Sequence, residues 1–101
     1  TLLVTPADWF QSLDGKVTNA DIGLYDQATQ DWRLYFNGSD VGINKPLSAF
    51  TSLTDGSLLL SLQNALQLPD VGMVRPHDVV RFVPTQLGPD TIGHFEWYLD
   101  H

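Results

Sequence analysis

Residues Trp32 to Phe36 alternate between bulky apolar and more polar side chains. Trp32, Leu34 and Phe36 fall on one side, and Arg33 and Tyr35 on the other. Residues 95–99 keep the same phase, with Phe95, Trp97 and Leu99 set against Glu96 and Tyr98. A period of two marks a half-buried β-strand, because successive side chains leave opposite faces of the pleat. The pattern predicts that Trp32, Leu34, Phe36, Phe95, Trp97 and Leu99 are core residues. It puts Tyr35 and Tyr98 on an outer face suited to cross-strand pairing. Strand-like runs cover residues 1–5, 21–26, 31–37, 48–53, 57–63, 78–84 and 93–100. Asp55-Gly56 joins two of them as a hairpin turn, since Asp-Gly readily takes positive φ. Asp26 to Gln30 and Thr85 to Gly93 read as two further turns.

Two stretches break the strand pattern. Thr5-Pro6-Ala7-Asp8-Trp9-Phe10 offers an N-cap followed by a proline at the first helical position, which predicts a single helical turn. Ser61 to Leu68 carries Leu62, Ala65, Leu66 and Leu68 at partly helical spacing. Both stretches read as excursions between strands.

The chain also repeats itself. Leu2-Leu3-Val4-Thr5 matches Leu58-Leu59-Leu60-Ser61, and Ala20 to Tyr25 matches His77 to Phe82. Trp32 to Gly38 matches Phe95 to His101. The offsets are 56, 57 and 63, so the extra residues fall in loops. Self-similarity at this period signals stacked units. Repeat one covers about 1–46 and repeat two about 47–101 of a single domain, 1–101. Repeat two has four strands joined by short turns, the plan of a β-propeller blade. Repeat one lacks the opening strand. The expected fold is all-β, with antiparallel strands in two propeller-blade-like repeats, the first incomplete. A seven-stranded barrel or sandwich is the alternative.

Composition narrows the function. Hydrophobic residues make up 43% of the chain, enough for a small core. Eleven of the twelve acids are Asp, which favours turns over helix interiors. Five scattered bases against those acids leave a net charge of −7, which argues against nucleic acid, whose phosphates need clustered Lys and Arg. No apolar run approaches the roughly 20 residues of a membrane-spanning helix. The absence of cysteine excludes disulfide scaffolds and cysteine-based zinc sites. Thr1 opens directly on a strand-like run, which reads as a piece of a longer protein.

Asn37-Gly38-Ser39-Asp40-Val41-Gly42-Ile43 resembles the Asp-Gly-Ser-Asp-Val-Gly-Leu signature of a family of bacterial tandem repeats found in large exported proteins. Asp55 to Ser61, Asp78 to Thr85 and Thr91 to Tyr98 resemble other segments of the same repeat. The resemblance spans nearly the whole chain, about one and three-quarter units. It implies propeller-like blades in a multi-repeat parent, at the cell surface or outside the cell. Two departures stand out. Asn44-Lys45-Pro46-Leu47 replaces the acids that often follow the signature, which weakens a metal site there. His101 stands where Gly is expected.

Few residues offer chemistry. Asn37, Ser39 and Asp40 are oxygen donors around a glycine, but calcium takes six to eight oxygens, usually from several carboxylates. Such residues in a turn ordinarily bond the backbone. Asp70, His77 and Asp78 form a loose His/Asp group; Asp78 has a counterpart in Asp21 and His77 has none, so the shared Asp reads as a turn-fixing residue. His94 and Glu96 share a strand face without a third ligand. Asp26 and Asp31 flank a hairpin. There is no Gly-x-Ser-x-Gly elbow, no Gly-x-Gly-x-x-Gly and no phosphate loop. Trp9 is the tryptophan outside the alternating faces, and so the candidate platform for a sugar. Asn37-Gly38-Ser39 also matches a glycosylation sequon.

These readings lead to a non-enzymatic all-β repeat module that scaffolds or interacts, with no cofactor and with self-association through its open edges. A carbohydrate-binding module centred on Trp9 is the alternative. A fragment of a propeller hydrolase is the third reading.

Overall fold

The computed structural model describes residues 2–99. Thr1, Asp100 and His101 lie outside the described residues, and with them the outer ends of the first and last predicted strands. The side chain of Leu99, expected in the core, lies outside them too. Eleven strands run β1 (Leu2–Val4), β2 (Trp9–Ser12), β3 (Gly15–Thr18), β4 (Ile22–Asp26), β5 (Asp31–Phe36), β6 (Leu47–Ser52), β7 (Leu58–Leu62), β8 (Leu66–Leu68), β9 (Gly72–Val74), β10 (Val79–Gln86) and β11 (Ile92–Leu99). The one helical element among the described residues is a 3-10 turn, Gly38–Val41.

The strands form an all-β, antiparallel structure. β1, β4 and β5 make a three-stranded sheet in the order β1-β4-β5. β6, β7, β10 and β11 make a four-stranded sheet in the order β11-β10-β7-β6. These seven correspond to the strand-like runs of the sequence, two of them marked by alternation. The β6–β7 hairpin closes through Asp55-Gly56, with Gly56 at φ 89° and its amide donating to the Leu53 carbonyl at 3.0 Å.

The two excursions are strands, not helical turns. β2 and β3 pair as a hairpin between β1 and β4, with Trp9 opposite Thr18 and Ser12 opposite Gly15. β8 and β9 pair likewise between β7 and β10. Proline at position 6 does not start a helix, because Trp9 and Phe10 pair with Thr18 and Val17 across the Asp14-Gly15 turn. The four-stranded sheet thus runs strand, strand, inserted hairpin, strand, strand, and the three-stranded sheet has the same order without the opening strand.

The alternating faces also need correction. Leu34, Phe36 and Phe95 are buried as predicted, but Leu34 and Phe36 do not share a face. Ile22 pairs with Phe36 and the next residue, Gly23, with Leu34, so Tyr35 is an extra residue on β5. Such a bulge flips the phase of the strand. Leu34 joins Trp32 on the side of Phe10 and Val17, where a side chain at Gly23 would come within 2.7 Å of the Phe10 ring. Phe36 turns the other way and meets Phe82 edge-on at 5.2 Å between ring centres. β11 carries the same irregularity: Val79 pairs with Leu99 and Val80 with Trp97, leaving Tyr98 unpaired. Trp97, expected in the core, is 39% exposed: it stands two residues beyond the buried Phe95, toward the end of the edge strand β11.

The main core sits between the sheets. Leu58, Leu60, Val80, Phe82 and Phe95 from the four-stranded sheet cluster with Ile22 and Phe36 from the three-stranded one. Leu68 and Val74 of the β8–β9 hairpin extend it, and Leu3 and Tyr35 pack half-buried against it.

Candidate functional site

The most ordered chemistry of this chain is aspartate bonded to backbone amide. Asp21 is 5% exposed. Its Oδ2 accepts from the Thr18 amide at 2.8 Å and the Thr18 hydroxyl at 2.9 Å, and its Oδ1 accepts from the Gly38 amide at 2.8 Å. Asp78, 2% exposed, accepts from the Arg75 amide at 2.9 Å in the same i−3 geometry. In both turns the Asp amide returns a bond to the carbonyl three residues back, at 3.0 Å. Asp14 and Asp70, in the turns of the two inserted hairpins, reach further. Asp14 accepts from the Leu34 amide of β5 at 3.0 Å, and Asp70 from the Phe95 amide of β11 at 3.2 Å. Asp26 and Asp55 cap their own turns, accepting from the amides of Ala28 and Ser57. Among the described residues no buried side-chain polar atom lacks a partner.

The weak metal candidates fall into one knot. Asn37 Oδ1 accepts from the Ser39 hydroxyl at 2.8 Å, and Asn37 Nδ2 donates to the Pro89 carbonyl at 3.0 Å. Asp40 Oδ2 accepts from the Thr91 amide at 2.9 Å. The Thr91 hydroxyl accepts from the Asn37 amide at 2.8 Å and donates to the Gly88 carbonyl at 2.7 Å. These bonds tie the end of β5 to the β10–β11 loop. Thr91, only 3% exposed, is the residue that sequence reasoning missed. Two of its partners, Asn37 and Asp40, lie more than fifty positions away, so no local signal marks its role in joining the sheets.

A cleft of about 550 Å³ opens beside this knot, lined by Asp40, Pro69, Asp70, Thr91, Ile92 and Phe95 among others. It brings Asp40 and Asp70 to one place. One oxygen of each carboxylate is held by a backbone amide, and the lining contains no cation. Two half-committed carboxylates fall well short of a calcium shell. No group of three His, Cys, Asp or Glu gathers among the described residues. His77 is exposed while Asp78 is buried in its turn, so the predicted Asp70, His77 and Asp78 group is not assembled.

Trp9 is 50% exposed on β2. The Lys16 ammonium lies 4.3 Å from its ring centre, a cation–π contact that occupies one ring face. Asp26 and Asp31 stand opposite each other at the mouth of the β4–β5 hairpin. A charged row crosses the far face of the four-stranded sheet. There Arg81 pairs with Asp55 and, at 3.3 Å, with Glu96, and His94 lies 3.8 Å from Glu96. Arg81 Nε also donates to the Ser57 hydroxyl at 3.0 Å. Hydrogen bonds from the Ser57 hydroxyl and amide, with Arg81 nearby, hold the Asp55 carboxyl below its ordinary value of 3.8.

Comparison with known protein families, curated proteins and solved structures finds no match for this chain.

Proposed function

We propose that this chain is a structural repeat module, two propeller-blade-like units of which the first lacks its opening strand, and that it scaffolds or binds other protein surfaces rather than catalysing a reaction. One observation carries the reading: seven of the ten described aspartates accept hydrogen bonds from backbone amides. Their acceptor capacity goes into turns, hairpin docking and the link between sheets. Catalytic carboxylates instead converge on a space that a substrate can fill. The repeat reading is supported by the shared strand order, by the hairpin inserted at the same place in each sheet, and by the tyrosine bulge on β5 and β11. It accords with the resemblance to bacterial tandem repeats of exported proteins. Self-association belongs to the same reading. The carbohydrate-binding alternative rests on Trp9, one face of which Lys16 already covers.

A strand transplant tests the reading. Ser57 corresponds to Thr1 in the repeat alignment, so a second copy of residues 47–56 fused ahead of Thr1 would enter in register as the missing strand. The expected result is a higher melting temperature and slowed hydrogen exchange along β1. A fused segment that stays unprotected, with unchanged stability, would count against two equivalent units.

A further inference from the structure

The contact between the two sheets inside the chain is a template for a contact between chains. The three-stranded sheet presents Leu3, Ile22 and Phe36 to the cluster that holds Leu58, Leu60 and Phe82 of the four-stranded sheet. In the repeat register Leu3 corresponds to Leu59, Ile22 to Val79 and Tyr35 to Tyr98. Those counterparts lie on the far face of the four-stranded sheet. Ile22 is fully buried whereas Val79 is half-exposed, and Tyr35 is half-buried whereas Tyr98 is 61% exposed. Leu59, Val79 and Tyr98, with Ala49 and Thr51, line a shallow apolar depression of about 240 Å³. The same surface is thus closed in the first unit and open in the second.

The matching half of that template is open at the other end. The surface that covers the first unit is the inner face of the four-stranded sheet, through Leu58, Leu60 and Phe82. Its counterparts in the three-stranded sheet are Leu2, Val4 and Tyr25. The pairing of Leu2 with Tyr25 and Val4 with Gly23 puts them on the Trp32 side. Leu2 is 51% exposed, and Val4 and Tyr25 are half-buried.

We infer that this chain associates head to tail, the Leu59–Val79–Tyr98 face of one copy receiving the Leu2–Val4–Tyr25 face of a second copy. This inference rests on the repeat reading above. The contact is heterologous, so it either closes into a ring or continues as a filament. Rings of about three or four copies would hold about six to eight sheets, within the range of propellers. The occupant follows from continuity with an interface that the chain already makes within itself. Copies that each carry a charge of −7 repel one another, so an apolar contact between them should tighten as salt screens that charge.

Sedimentation velocity on the whole chain over a wide concentration range, at low and high salt, reads the association directly. A mass above the 11.2 kDa chain that rises with concentration and with salt is expected. Thr51→Glu with Tyr98→Glu disables one face, and Leu2→Glu disables the other, with circular dichroism checking that each variant folds. Each alone should weaken self-association by about tenfold or more. An equal mixture should form a heterodimer and stop there, since one good face of each kind remains. A two-fold contact overturns the inference: it uses a single face, so one of the two variants would then associate as the wild type does. A wild-type monomer throughout the range also overturns it, and needs no variant to be seen. If the transplanted strand still pairs with β1 in such a monomer, the repeat reading stands while the docking fails.

Discussion

Asp21→Asn tests whether backbone-directed carboxylates hold this fold. The native side chain accepts three hydrogen bonds: two from Thr18 on Oδ2 and one from the Gly38 amide on Oδ1. Asparagine keeps the shape but replaces one oxygen with an NH2 group. Either the Gly38 or the Thr18 amide must then face a donor. The Gly38 bond is buried, so leaving that amide unpaired costs about 1–3 kcal/mol. The Thr18 group is only partly buried and can recruit water, so its share lies toward about 1 kcal/mol. Only one of the two sites is lost in either orientation of the amide, so the expected loss is about 1–3 kcal/mol, a sizeable part of the roughly 5–15 kcal/mol that stabilises a small domain. At about 4–8 °C per kcal/mol for a chain of this size, the melting temperature should drop by at least about 4 °C. Tryptophan fluorescence during urea unfolding measures it, with the slope checked against wild type to confirm that only stability changed. A variant within about 0.5 kcal/mol of wild type would refute the claim that Asp21 is structurally required.

Two further outcomes follow from burial and from charge. Trp97→Ala should cost about 1–2 kcal/mol, well below the roughly 3–5 kcal/mol expected of Phe82→Ala, because Trp97 is 39% exposed and Phe82 fully buried; equal losses in chemical denaturation would contradict the assigned burial. Asp55 has a carboxyl pKa lowered by Ser57 and Arg81, so its contribution to stability is complete above 3.8 and disappears as pH falls through its lower folded-state value. Asp55→Asn should therefore flatten part of the stability loss below pH 3.8 in an acid titration followed by dichroism, and an unchanged acid limb would show that the Ser57 and Arg81 contacts are not maintained in solution.

The seven strands of the two sheets were legible because alternation and Asp-Gly punctuation are local. Other features depend on distant partners. The bulges at Tyr35 and Tyr98 shift the register of β5 and β11 by one residue, and only pairing with β4 and β10 reveals the shift. That is why Leu34 and Phe36 read as one face and occupy two. The inserted hairpins have strands of three or four residues, too short for a periodic pattern to outweigh Thr5-Pro6 or the leucine spacing after Ser61. The turn role of Asp21 and Asp78 was readable because donor and acceptor lie three residues apart. The roles of Asp14, Asp40 and Asp70 were not, because their amide partners lie 20, 51 and 25 positions away.

Those long-range carboxylates also bear on how the chain meets its neighbours. β5 and β11 each have a sheet neighbour on one side only, and an edge strand ordinarily exposes a row of amides and carbonyls to any passing chain. Here the turn of an inserted hairpin bends back onto each edge. Asp14 takes the Leu34 amide while the Leu13 amide donates to the Trp32 carbonyl at 2.9 Å, and Asp70 takes the Phe95 amide. Further along β5 the Gly88 amide donates to the Tyr35 carbonyl at 2.8 Å, and Thr91 takes the Asn37 amide. The same device serves both sheets, and it occupies groups that strand addition would use. β1, at three residues, offers only a short edge in its place. Besides the edge of β6 (Leu47–Ser52), the blocked edges leave available the sheet faces, where Tyr98 at one end and Leu2 at the other stand open. Hydrogen bonding therefore opposes association through β5 and β11, while buried apolar area favours association through the faces. Adding a β-strand peptide should leave the amides of β5 and β11 unperturbed, while any self-association should shift signals at Leu59, Val79 and Tyr98. The reverse pattern would mean that the hairpin turns do not protect the edges they cover.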